Sequence, residues 1–164
     1  MTGAAPQPGD ILLVHRLDPF AIAIQVTQLA AGYLWPDARI NHWQLVTAVG
    51  DAGRVSIIEA ALGGVRERTI TLRGPVDFVR PNYTDVNAGI AWAKTWNGTP
   101  YGFLDLPALL CTTLGWRPPW VRRVLERPST IVCSQLGAGA AFAGGDNRAA
   151  AWPYFIPAAC RIFV

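Results

Sequence analysis

Three side chains in this 164-residue sequence could together break an acyl bond: Cys133, His42 and Glu59. Cys133 ends the short apolar run Thr130-Ile131-Val132 and opens an Ala/Gly-rich helical pattern that Gly144-Gly145 stops. A cysteine at a helix N-terminus faces unpaired backbone N–H groups and the positive end of the helix dipole, which favour the thiolate, the nucleophilic form. The same local stretch also suits a buried cysteine acting as a small hydrophobe. A nucleophilic thiolate needs a base within hydrogen-bond reach and a third group that orients the base. Only two histidines are available. His15 follows a short apolar run and reads as structural or solvent-facing, so His42 is the candidate base.

These side chains depend on a β-hairpin for their placement. His42 to Val49 and Val55 to Ala61 read as strands joined by the turn Gly50-Asp51-Ala52-Gly53, and Val65 to Leu72 reads as a third strand. His42 lies near the start of one strand and Glu59 near the end of the next, so the two fall nearly opposite. Cross-strand Cβ atoms are about 4.5 to 5.5 Å apart, close enough for the carboxylate to hold one imidazole tautomer.

Around this hairpin, Ile11 to Val14 predicts a strand and 19–35 a helix that Pro36-Asp37 breaks. Thr84 or Asp85 caps a helix to about Trp96, in which Trp92 and Trp96 share one face. Residues 104–127 form an apolar insertion of two short helices around Pro118-Pro119. With Trp116, Trp120 and paired arginines, it reads as a lid, a substrate wall, a docking surface or core packing. Cys160 to Val164 predicts a closing strand, with Cys160 and Cys111 as core residues. The chain therefore reads as one α+β domain over 1–164, with a flexible lead at 1–8.

Composition narrows the function classes. The net charge is +3 and the arginines are scattered apart from Arg117, Arg122, Arg123 and Arg127, so no nucleic-acid footprint stands out. Three cysteines without ligand spacing argue against a disulfide framework and a metal site. No glycine-rich phosphate loop follows a strand, and no cofactor is expected. The polar, Pro/Gly-rich start lacks the pattern of a secretory signal, and no apolar run reaches membrane-spanning length. The expected location is the cytoplasm, or a phage particle assembled there.

Gly98-Thr99-Pro100-Tyr101-Gly102 followed by Val132-Cys133-Ser134-Gln135-Leu136 resembles the G-x-P-Y and C-S-x-L core of NlpC-type papain-like cysteine peptidases. The histidine motif Asn41-His42-Trp43 precedes the cysteine, and Ile57-Ile58-Glu59-Ala60 follows the histidine. That order resembles the circularly permuted branch, which includes YiiX-like proteins and relatives of lecithin:retinol acyltransferase. The opening Pro8-Gly9-Asp10-Ile11 is similar to that branch's first strand. The resemblance implies a permuted papain-like α+β fold, with a helix carrying the cysteine packed on an antiparallel sheet carrying the histidine. It implies Cys133 as nucleophile, His42 as base and Glu59 as third polar residue, with Tyr101, Ser134 and Trp43 at the oxyanion or substrate. Two positions depart from the pattern: Val132 and Gly102 stand where many members carry an acid.

Three functions compete at this point. The first is a cysteine hydrolase of amide bonds, with a peptidoglycan peptide as substrate, in a phage-associated setting. A lipid-directed thioesterase, amidase or acyltransferase would use the same triad, with the 104–125 segment as its acyl wall. A non-catalytic binding module of a larger assembly would keep the fold without turnover.

Overall fold

The computed structural model describes residues 5–74, 76–103, 105–126, 129–150 and 157. Over these residues the chain is α+β, with a five-stranded antiparallel sheet and six α-helices. The strands are β1 (Ile11–Val14), β2 (His42–Val49), β3 (Arg54–Ala61), β4 (Gly64–Thr71) and β5 (Phe78–Val79), in the spatial order β4-β3-β2-β1-β5. The helices are α1 (Pro19–Ala30), α2 (Trp35–Ala38), α3 (Val86–Thr95), α4 (Asp105–Thr113), α5 (Pro119–Leu125) and α6 (Cys133–Ala143). The expected meander is present as β2-β3-β4, while the two-residue β5 has no sequence counterpart because it is too short to show alternation. The closing strand expected at 160–164, and with it Cys160, lies outside the described residues.

Helix α1 departs from its expected length. Asp18 caps it by accepting from the Ala21 N–H at 3.0 Å, and Pro19 suits its first turn. It ends at Ala30 because Gly32, at φ +85°, turns the chain in the left-handed region. Pro36 and Asp37 therefore do not break α1 but lie within the separate turn α2, where Pro36 needs no N–H partner.

The register places one face of the sheet on the helices. Ile11 pairs with Leu45, and Leu45 with Ile58. Together with Trp43 and Ala60 these residues enter the main core with Ala93 of α3 and Leu136, Ala138 and Ala140 of α6. Small residues let these layers approach. A Cβ on Gly137 would stand 2.8 Å from the Trp43 ring, and one on Gly89 would stand 2.6 Å from the Ala140 carbonyl oxygen. The opposite face carries Leu12, Val46, Val55 and Ile57 under Ile70, Leu72 and Phe78.

Alanine ordinarily stabilises a helix interior by about 1 kcal/mol over glycine. Gly89→Ala should do the reverse, because its new methyl meets backbone that cannot rotate away, and a destabilisation of about 1 to 3 kcal/mol is expected. The midpoint of urea unfolding, at unchanged slope, measures it.

Candidate functional site

A buried carboxylate organises the site. Glu59 is fully excluded from solvent on β3. The pairing of Leu45 with Ile58, carried one step further, sets Glu59 across from Gln44, and His42 lies two residues along the same face of β2. His42 and Glu59, expected nearly opposite, are therefore diagonal neighbours, a separation that an imidazole spans. Nε2 of His42 lies 2.8 Å from Oε2 of Glu59, and Gln44 Nε2 donates to the same oxygen at 2.9 Å. The other oxygen accepts from Arg66 Nη2 at 3.1 Å and Arg68 Nε at 2.8 Å. Arg66 pairs with Glu59 across the β3-β4 ladder, so the hairpin supplies both arginines by register.

Cys133 enters from the helical layer. It is the first residue of α6, as expected, and lies close enough to His42, the first residue of β2, to act on that imidazole. Burial alone would lower the His42 pKa. The charge of Cys133 and the bonded Glu59 carboxylate outweigh burial and push it up to about 9. Glu59 experiences the converse. Burial would raise its pKa, but the hydrogen bonds from His42, Arg68 and Gln44 hold it well below the usual carboxylate range.

The N-terminus of α6 is shaped for an anion. Val132 at the N-cap has no side-chain oxygen to offer the N–H groups of the first turn. Gln135 reaches back instead and accepts from the Val132 N–H at 2.9 Å. Tyr101 pairs with Ile131 in a parallel bridge, so its segment runs beside the one that delivers Cys133. Burial, Cys133 and Asp105 all raise the Tyr101 pKa well above its ordinary value, so the hydroxyl keeps its proton and can donate it.

Tyr101 and His42 share a small groove with Arg16, Asp18, Asn41 and Ala61. Asn41 pins one wall by accepting from the Arg16 N–H at 2.9 Å and donating to the Arg16 and Ala21 carbonyls at 2.9 and 3.3 Å. Cys133 itself is buried, 2% exposed. Ser134 and Trp43, expected to touch substrate, do not line it. Ser134 is wholly buried, and the Trp43 indole packs on α6 and donates to the Pro157 carbonyl at 2.8 Å. His15 is exposed.

Asp105 is a site residue that the sequence reading missed. It is buried at the start of α4, accepts from Thr130 Oγ1 at 3.4 Å and fills the space that a side chain on residue 102 would need. The Asp105 carboxylate thus lies against residue 102, and the signal for it is an aspartate opening an apolar helix. Among the described residues no group of three or more His, Cys, Asp or Glu side chains is gathered to hold a metal. No described helix is long and apolar enough to cross a membrane.

Comparisons with protein-family models, curated proteins and solved structures return no match for this chain. Its functional reading therefore rests on the geometry above.

Two outcomes follow. In an NMR titration the His42 ring should hold its proton to about pH 9, and in Cys133→Ala its pKa should fall, because burial then opposes fewer attractions. Glu59→Gln should cost about 3 kcal/mol by leaving the buried imidazolium poorly paired. Because the Glu59 pKa is depressed on folding, its stabilising contribution is complete above the ordinary value of 4.5 and is lost as the pH falls below it. Denaturation of wild type and Glu59→Gln should accordingly converge in acid.

Proposed function

We propose that this protein is a cysteine hydrolase, built as a permuted papain-like domain, that cleaves an amide bond through Cys133, His42 and Glu59. One observation carries the reading: a buried imidazole is held by a carboxylate at 2.8 Å and lies beside the cysteine that opens a helix. In the proposed cycle the Cys133 sulfur attacks the carbonyl carbon as a thiolate. The resulting oxyanion takes hydrogen bonds from the first turn of α6 and from the Tyr101 hydroxyl. His42 gives its proton to the leaving amine, and the C–N bond breaks to leave a thioester on Cys133. His42 then accepts a proton from water, whose oxygen attacks the thioester and releases the acid and the thiolate. Glu59 holds the ring throughout and stays ionised. The substrate reading is a cell-wall peptide, as the motif resemblance implies, in a phage-associated setting.

A second substrate is favoured by a specific cavity. Between α1 and α4 lies an apolar space of about 250 Å³, walled by Ala23, Ile24, Leu106, Pro107, Leu109 and Leu110. Ile24 also lines the groove beside His42, so an acyl chain in this cavity could present its carbonyl to the site. The lipid-directed thioesterase or amidase uses the same triad and differs only in what fills this space.

Alkylation with iodoacetamide, followed residue by residue with peptide mass spectrometry, tests the triad. Cys133 should react fast at about pH 6, and His42→Ala should remove that reactivity. Cys133→Ala should lower turnover of any accepted substrate by about a thousandfold or more, with the fold retained, and Glu59→Gln should leave partial activity. Labelling of Cys133 at the rate of an ordinary thiol, unchanged by His42→Ala, would instead support a binding module. Parallel assays with wall peptides and acyl esters separate the two substrates.

A further inference from the structure

The connection between α4 and α5 has a composition that neither the core nor the triad explains. Leu114 and Trp116 are 58% and 59% exposed, and Trp120 is 41% exposed. The two indoles stand edge to face with centroids 6.0 Å apart. Behind them α5 already fills its core side with Val121, Val124 and Leu125, so the tryptophans are not needed for packing. Arg117, Arg122 and Arg123 are exposed around them. No acidic residue occurs between Asp105 and Glu126, and Glu126 is engaged by Arg122 at 3.1 Å. The tip is therefore aromatic and cationic together.

Those two properties select a partner. A purely apolar groove on another protein would strand the arginines, whereas a polyanion alone gives no reason for exposed leucine and indole. An anionic bilayer satisfies both, because tryptophan rings settle at the boundary of headgroup and hydrocarbon while arginines pair with lipid phosphates. Helix α4 touches both α5 and α1, and α1 exposes Ile22, Val26 and Leu29 on a helix without a single charged residue.

We propose that the α4-α5 tip, Leu114 to Arg123, docks this domain on an anionic lipid bilayer. The attachment is interfacial and reversible, combining a few buried apolar side chains with charge attraction. It goes beyond the hydrolase reading and does not depend on it.

Co-sedimentation of the full chain with lipid vesicles, POPC alone against about 7:3 POPC:POPG, tests the proposal. Partition onto the anionic vesicles should exceed that onto POPC by at least about tenfold, fall as salt screens the arginines, and shift tryptophan emission to the blue. The double variant Trp116→Ala/Trp120→Ala should lose about tenfold or more in partition. Arg117→Gln/Arg123→Gln should lose roughly 30-fold on POPG and bring the two vesicle types close together. Both pairs are exposed, and an unchanged far-UV spectrum confirms that the fold is kept. Cys133→Ala should dock like wild type, which separates failure of docking from failure of the triad. Absence of partition, equal partition on both vesicles, or variants that bind like wild type would overturn the proposal. So would self-association by light scattering that Trp116→Ala/Trp120→Ala abolishes while vesicles stay unbound.

Discussion

The constraint on which the rest of the site depends is the burial of one carboxylate. An ionised glutamate without access to water is tolerated only if its oxygens are saturated by donors, since removing such a charge from water costs several kcal/mol. Glu59 meets that condition through His42, Gln44, Arg66 and Arg68, which come from the two strands flanking β3. A slip of one residue in either ladder would turn those donors to the other face and leave the charge alone. The alternation that sends Leu45, Ile58 and Ala60 into the main core is thus the same alternation that gathers the polar set. Core packing and site geometry are two readings of one register.

Helix α6 is placed by a different constraint, the space between its backbone and its neighbours. Its sequence is nearly all small residues, and Gly137 and Gly139 let it lie against Trp43 and Trp92. Close approach leaves little room for sliding, so the position of Cys133 relative to His42 is set along the whole helix and not by a loop. On the other side, Gly64 at φ +103° lets the Thr99 carbonyl approach β4, and the Val65 N–H donates to that carbonyl at 2.8 Å. The Tyr101 segment is thereby fixed to the sheet at one end and to Ile131 at the other.

Periodicity and end signals made the elements legible. The cysteine at a helix start, the three-strand meander and the Asp85-capped α3 all rest on local patterns, and each appears where those patterns place it. Of the side chains expected to act together, His42 is bonded to Glu59 and lies near Cys133, and the choice of base was narrow because the chain holds only two histidines. What escaped depends on the third dimension. The Arg66 and Arg68 clamp requires the β3-β4 register. Asp105 acts across space on a neighbour distant in sequence, and the burial of Ser134 and Trp43 follows from how tightly α6 seats. The end of α1 was misplaced for a simpler reason, since Gly32 is a quieter stop than Pro36 although its left-handed backbone is the decisive one.

The charge balance around Glu59 bears on the division of labour within the triad. A lone carboxylate beside an imidazole would both orient it and raise its basicity. Here the two arginines already lie on Oε1, so much of the negative charge of Glu59 is compensated before His42 feels it. The upward pull on the His42 pKa comes from both Cys133 and Glu59. In the proposed hydrolase Glu59 would serve chiefly as a rigid acceptor that fixes the ring, while thiol and imidazole would form the pair whose proton moves. In that proposed reaction the arrangement would keep the orienting group from competing for the proton that a leaving group needs. A glutamate can fill this position because the arginine clamp, supplied by β4, moderates a charge that would otherwise hold the imidazolium too firmly.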